Sequence, residues 1–185
     1  MKALPGLHTP GRIAAASGLG IGIEAAMVWR AGWSTILPAY LVFGAAGAAV
    51  TVTDLAVRRV PNRVVAPAYL LGLGLLTAAS AGSGSWWPLA RAAIGTLLLA
   101  GFYLALGLAF PAGMGLGDVK WAGVIGLYLG YLGWSALPSS TLVAFGTAAA
   151  VVLAGSAFGR GRRLVLPMAP YMTLGALVAV LATTR

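Results

Sequence analysis

One stretch of the chain decides its fold: GMGLGDVKWAGVIGLYLGYLGW, residues 113–134. Its second part, 119–134, is an apolar run that approaches the roughly 20 residues a helix needs to span a bilayer. Its first part places Asp118 and Lys120 next to three glycines, in a chain where charge is rare. The stretch therefore predicts a membrane helix that begins with a carboxyl group.

The composition of the whole chain predicts the same class of protein. Of the 185 residues, 60% are hydrophobic and 8% are charged, against about 25% charged residues in soluble domains. We therefore expect an all-α, polytopic membrane bundle with six or seven transmembrane helices. The chain has no cysteine, which excludes disulfides, thiolate metal sites and cysteine nucleophiles.

Apolar runs bounded by Arg, Pro, Gly and Trp predict where these helices lie. The seven predicted spans are 13–29, 36–54, 64–82, 90–110, 119–134, 139–158 and 165–182. The segment from Arg12 to Arg30 also has the basic start and apolar run of a secretory signal. Its small residues precede the apolar run, however, so a cleavage site would be in the wrong place.

The basic residues predict the orientation of the bundle. With the N-terminus in the cytoplasm, three lie outside, Arg30, Arg91 and Arg185, and nine lie inside: Lys2, Arg12, Arg58, Arg59, Arg63, Lys120, Arg160, Arg162 and Arg163. An excess of Lys and Arg on the cytoplasmic side is the normal pattern of membrane proteins. The formal charge of +9 is thus explained by orientation and anionic lipid, and no nucleic-acid partner is expected.

Two of the three acidic residues are predicted to lie at the same membrane face. The three are Glu24, Asp54 and Asp118. Asp54 ends the second predicted helix and Asp118 begins the fifth, whereas Glu24 lies within the first and is expected to have a structural role. An intramembrane carboxyl group costs about 2.5–3.5 kcal/mol on insertion scales, so it indicates a functional site.

Two neighbouring carboxyl groups can activate a water molecule for peptide hydrolysis. Because both cannot be ionised at once, one keeps a proton while the other acts as a base. The base takes a proton from the attacking water, and the protonated group donates to the peptide carbonyl oxygen. This chemistry needs no metal or cofactor. Asp54 ends a helix and Asp118 begins one, so the helix dipoles favour Asp54 as the protonated partner.

Glycine near Asp118 and in the following helix allows close approach of another backbone. Gly113, Gly115 and Gly117 can admit a neighbouring helix or an extended substrate. Gly126 and Gly130 can contact either a substrate helix in lipid or another helix of the bundle.

The motifs around the two aspartates resemble those of the type IV prepilin peptidases. DLAVRRVPN, residues 54–62, is similar to their first motif, and GLGDVK, residues 115–120, is similar to the glycine-x-glycine-aspartate motif that they share with presenilin-type proteases. LPMAPYMTLGAL, residues 166–177, is similar to the proline-rich start of their last helix. The resemblance covers about residues 36–182.

This resemblance implies an aspartic endopeptidase that cleaves the basic leader of prepilins or pseudopilins at the cytoplasmic membrane face. Asp54 and Asp118 carry over as catalytic residues. The supporting motif residues are Pro61, Asn62, Gly115, Gly117 and Lys120, and no metal or other cofactor is implied. Lys120 either orients groups in the site or extends to the lipid headgroups.

The resemblance also predicts the domain organisation. Residues 36–185 form the peptidase-like membrane domain, and residues 1–35 hold a tail and an additional transmembrane helix. Many family members carry a cysteine-containing methyltransferase domain, which this chain does not resemble. Two alternatives stay open: a catalytically silent paralogue that binds pilins, and a small proton-coupled transporter that uses the acids as a relay.

Overall fold

Residues 34–183, where the structure describes them, form six helices. The computed structural model describes residues 34–111, 114–157 and 166–183, together with Gly22, Glu24, Ala25 and Val28. The six helices are α1 Leu37–Val57, α2 Asn62–Ser83, α3 Trp87–Ala109, α4 Leu116–Leu132, α5 Ala136–Ala157 and α6 Ala169–Ala182. No strand occurs in these ranges.

Proline and glycine set several of the helix boundaries. Pro38, Pro88 and Pro170 lie in the first turns of α1, α3 and α6, where the missing N–H is not needed and the fixed φ suits a helix. Gly84 ends α2 with a φ of 69°, a left-handed conformation that glycine adopts without a steric penalty. These residues keep the connections short and the successive helices antiparallel.

The predicted helical membrane bundle is confirmed. Helices α1, α2, α3 and α5 are each long and apolar enough to cross a membrane, whereas α4 has 17 residues and α6 has 14. The helix predicted from residue 165 begins at Ala169, four residues later, because the chain turns into the helix between Pro167 and Pro170. The predicted span 13–29 lies mostly outside the described residues.

Helix α4 is the centre of the bundle. Every residue from Trp121 to Tyr131 is buried. Trp121 stacks on Phe43 of α1, with 5.9 Å between ring centroids, and its indole N–H donates to Thr173 of α6 at 3.1 Å. The Tyr128 hydroxyl donates to the carbonyl of Ala68 in α2 at 2.9 Å. Protein therefore surrounds α4 on every side.

Glycine allows α3 and α4 to pack with their backbones in contact. A Cβ atom at Gly95 would lie 2.6 Å from the carbonyl oxygen of Gly126 and 3.0 Å from the Cα of Gly130. Of the two roles open for Gly126 and Gly130, the structure supports packing inside the bundle. In a membrane such close packing is a main source of helix association, because lipid is as apolar as the side chains.

An arginine of α3 binds the C-terminal end of α4. The Arg91 side chain of α3 donates from Nε to the carbonyl of Gly130 at 2.6 Å and from its terminal nitrogen to the carbonyl of Tyr131 at 2.5 Å. At the end of the helix no backbone N–H follows that could donate to these two carbonyls. The partial negative charge of the helix C-terminus also favours a cation there. Arg91 therefore fixes α3 against the C-terminus of α4.

We predict that Gly95→Ala destabilises the bundle and that Gly101→Ala, in the same helix, does not. The added methyl at residue 95 meets the α4 backbone, whereas nothing lies within 4 Å of a Cβ at residue 101. Overpacking of this kind costs about 1–3 kcal/mol. The measurement is the thermal midpoint of the two detergent-purified variants, and equal midpoints would contradict the described packing.

Candidate active site

Asp54 is a buried residue that connects two helices. It lies in the last turn of α1, with 5% of its surface exposed. Its Oδ2 accepts a hydrogen bond from the backbone N–H of Ala169 at 3.1 Å. Because Ala169 is the first residue of α6, the Asp54 carboxyl group caps the N-terminus of a helix that is distant in sequence.

Asp118 is held by its own helix. It is the third residue of α4, and its Oδ2 accepts the N–H of Gly115 at 3.0 Å. The backbone N–H of Asp118 in turn donates to the Gly115 carbonyl, also at 3.0 Å. Gly115 has no side chain, so only the carboxylate half of a capping box is present here. Asp118 is half-buried, more open than Asp54.

The two aspartates line one cavity at the end of the bundle formed by the α1–α2 and α3–α4 connections. This aspartate cavity has a volume of about 220 Å³. Its walls come from two segments of the chain, 54–60 and 115–118, contributing Asp54, Arg58, Arg59, Val60, Gly115, Gly117 and Asp118. The structure thus brings together the two aspartates that the sequence predicted at one face.

The helix dipoles do not favour Asp54 over Asp118 as the protonated partner, although the sequence predicted that they would. Asp54 ends α1, but its carboxyl group lies at the N-terminus of α6, where the partial charge is positive. Asp118 lies at the N-terminus of α4. Both groups therefore receive a backbone N–H at a positive helix pole, so the basis for assigning the shared proton to Asp54 is removed.

Supporting residues of the two motifs contact each other. Lys120 Nζ donates to the side-chain oxygen of Asn62 at 3.1 Å, and the Tyr69 hydroxyl donates to the Lys120 carbonyl at 3.3 Å. Pro61 precedes α2 in an extended conformation, and its carbonyl accepts the N–H of Val64 at 2.9 Å. Lys120 therefore joins the two motifs instead of bonding to Asp118.

The motif glycines differ in how much the structure requires them. A Cβ at Gly117 would lie 3.1 Å from the Cβ of Val60, so the α1–α2 connection would have to shift by a few tenths of an ångström to admit a side chain. At Gly115 the nearest atom would be the Asp118 carboxylate at 3.7 Å, an ordinary contact, and φ is −91°. Gly115 thus leaves its backbone open towards the aspartate cavity, and Gly113 lies outside the described residues.

Arg58 and Arg59, which were predicted only as basic residues of the cytoplasmic side, both line the aspartate cavity. Arg58 ends α1 in the left-handed conformation, with φ 51° and ψ 46°, and its N–H donates to the Asp54 carbonyl at 2.8 Å. Such a conformation disfavours a side chain and is often found at functional sites. Their position one helical turn after Asp54 was the signal that could have identified them.

Comparison with known proteins identifies the family. The model of the type IV leader peptidase family matches residues 41–158, more than half of the 185 residues. The chain belongs to the type IV leader peptidase family. No curated protein and no solved structure matches it. The family that the two motifs resemble is therefore confirmed.

The family match locates the leader peptidase region relative to the cavity. It includes both aspartates and all walls of the aspartate cavity, and it ends before α6. The N–H of Ala169, which holds Asp54, is thus supplied by a segment beyond the match. Within the described residues, no group of three or more His, Asp or Glu side chains is placed to hold a metal ion.

We predict that Asp54→Ala destabilises this leader peptidase family member more than Asp54→Asn. Asparagine keeps a side-chain oxygen that can accept the Ala169 N–H, whereas alanine leaves a buried donor unpaired. The difference in unfolding free energy should be about 1–2 kcal/mol.

The matched control is the same pair of substitutions at Asp118. Its partner, Gly115, is exposed, so water can replace the lost acceptor and the Ala and Asn variants should differ less. Thermal unfolding of the four variants in one detergent measures both differences. A larger difference at Asp118 than at Asp54 would show that the α6 cap is not a stabilising contact.

Proposed function

We propose that the protein is an aspartic endopeptidase that removes the basic leader of prepilins or pseudopilins, with Asp54 and Asp118 as its catalytic residues. The observation that carries this proposal is the shared cavity. In a chain of the type IV leader peptidase family, α1 and α4 each direct one carboxyl group into a single small cavity at one end of the bundle. Glu24, the third acidic residue of the chain, is not part of that wall.

The geometry supports a mechanism in which the two carboxyl groups share one proton. Both aspartates line the same small cavity, and like charges at short range favour a singly protonated pair. The ionised group takes a proton from water as it attacks the peptide carbonyl carbon, and the protonated group donates to the carbonyl oxygen. Backbone N–H groups from Ala169 and Gly115 hold one oxygen of each carboxyl group, and the second oxygen of each makes no hydrogen bond among the described residues.

The size and charge of the cavity favour small residues at the scissile bond. A volume of about 220 Å³ with Arg58 and Arg59 on its wall disfavours a basic side chain inside it. The resemblance to prepilin peptidases implies cleavage after a glycine, which has no side chain to accommodate. Basic residues of the leader would then lie outside the cavity, in water, while the apolar pilin helix stays in lipid.

We predict that the wild-type protein cleaves a prepilin and that Asp54→Asn and Asp118→Asn do not. The test is co-expression in a bacterial membrane with candidate prepilins from the same genome, followed by a gel shift and mass spectrometry of the new N-terminus. Loss of acid–base catalysis should lower the rate by more than about a hundredfold. Glu24→Gln, which removes the third acid, is the control and should cleave normally.

Together with a prepilin-binding assay and a proton-transport assay in liposomes, this experiment separates the alternative functions. A catalytically silent paralogue would leave every prepilin uncut in the wild type while still binding it. A proton-coupled transporter would also cleave nothing but would carry protons in liposomes. Cleavage that survives in either aspartate variant would exclude the two-aspartate mechanism.

We also predict that the aspartate end of the bundle faces the cytoplasm. The chain has no native cysteine, so a single introduced thiol reports its own position. Pro111→Cys, in the α3–α4 connection, should react with a membrane-impermeant maleimide only after the cells are opened. Ser85→Cys, in the exposed α2–α3 connection at the other end, should react in intact spheroplasts. The reverse pattern would place the active site outside.

A further inference from the structure

The hydroxyl group of Thr51 differs from those of the other helical threonines. Each of these donates to the carbonyl four residues earlier in its helix, at 2.6–3.1 Å; they are Thr53, Thr77, Thr96, Thr141, Thr147 and Thr173. Thr51 is only 9% exposed and its Oγ1 is buried. This oxygen nevertheless has no hydrogen-bond partner among the described residues. The hydroxyl of Thr51 is thus directed away from the usual backbone acceptor.

An unpaired buried hydroxyl is costly, and valine has the same shape without that cost. Buried polar groups in folded proteins are nearly always paired, so an exception calls for a partner that acts at another stage. Since Thr51 does not line the aspartate cavity, a substrate in the cavity would not reach it directly. Its partner must therefore lie within the bundle.

The position of Thr51 indicates Asp54 as that partner. Thr51 precedes Asp54 by three residues in α1, a spacing that makes side chains neighbours on one helix face. The same face carries Gly47, which packs against Thr173 and Trp121, while Asp54 bonds to Ala169. Thr51 therefore lies on the helix face between the residue that packs on Thr173 and the residue that bonds to Ala169.

Asp54 has an oxygen available for such a partner. Ala169 bonds to Oδ2, and within the described part of the chain no hydrogen bond is made by Oδ1. A backbone N–H can only donate, so it suits the ionised carboxylate better than the protonated acid. A hydroxyl can donate to a carboxylate and accept from a protonated carboxyl group, and it rotates to do either.

We propose that Thr51 is a positioning residue of the active site, whose hydroxyl pairs with Asp54 Oδ1 across one helical turn. This inference rests on the proposed peptidase function. Rotation about χ1 brings Oγ1 to the carboxyl group, where it donates while Asp54 is ionised and accepts while Asp54 is protonated. Thr51 transfers no proton. It keeps the carboxyl group in one orientation while the charge of the pair changes.

The first test compares Thr51→Val with Thr51→Ser and with Thr53→Val, an equally conservative change next to Asp54. Loss of one hydrogen bond to a reacting group should lower kcat by about tenfold or more, with KM unchanged. Thr51→Ser keeps the hydroxyl and should stay within about twofold of the wild type. Thr53→Val removes a hydroxyl that only bonds to backbone and should also be close to wild type. Full activity of Thr51→Val would overturn the proposal.

The second test does not depend on cleavage. Infrared difference spectroscopy at a pH where Asp54 is protonated gives its carboxyl C=O band, identified by its loss in Asp54→Asn. In Thr51→Val the band should move to higher frequency, and in Thr53→Val it should not. An unmoved band in Thr51→Val overturns the proposal whether or not any prepilin is cleaved. A wild type that cleaves nothing but shows the shift would contradict only the peptidase function.

The thermal midpoint shows that the comparison is made on folded protein. Thr51→Val has nearly the volume of threonine and leaves no cavity, so its midpoint should stay close to that of the wild type. An inactive Thr51→Val with a lower midpoint and no infrared shift would indicate a packing defect and would overturn the proposal.

Discussion

The complete enclosure of α4 by the other helices is the constraint on which the structure depends. A membrane offers no hydrophobic gain for moving an apolar helix from lipid to protein, so close packing and hydrogen bonds must hold α4 in place. Gly95, Gly126 and Gly130 let α3 and α4 meet at backbone distance. Arg91 strengthens that contact, and α1, α2 and α6 hold the other sides through aromatic stacking and hydrogen bonds. Because Asp118 lies in the first turn of this fixed helix, its position is fixed as well.

Asp54 reaches the same place by a different route. It lies near the end of α1, and the N-terminus of α6 holds its carboxyl group through Ala169. Three helices thus determine the geometry of the two carboxyl groups. The Lys120–Asn62 hydrogen bond also joins the first turn of α2 to the N-terminal part of α4. A shift of α6 would turn Asp54 without moving Asp118. The arrangement of the pair therefore depends on a segment that contributes no side chain to the cavity.

The hydropathy pattern and the small number of acidic residues predicted much of the fold and of the candidate site from the sequence. Apolar runs gave the helices, and rarity of charge singled out Asp54 and Asp118. What the sequence could not predict was which apolar helix faces protein, because α4 and the lipid-exposed α3 have similar compositions. The sequence also could not predict that the N–H of Ala169 bonds to Asp54. Every residue except proline has a backbone N–H, so this donor leaves no sequence signal. The same holds for Gly115 and Gly117, which share one motif but differ in the space around them.

The hydrogen bond by which Asp54 caps α6 affects how an intact motif should be interpreted. A carboxyl group that caps α6 stabilises the fold, so a silent descendant would have reason to keep Asp54 after losing activity. An intact Asp54 is therefore weaker evidence for catalytic activity than its place in the motif suggests, because the hydrogen bond to Ala169 already gives this residue a structural role.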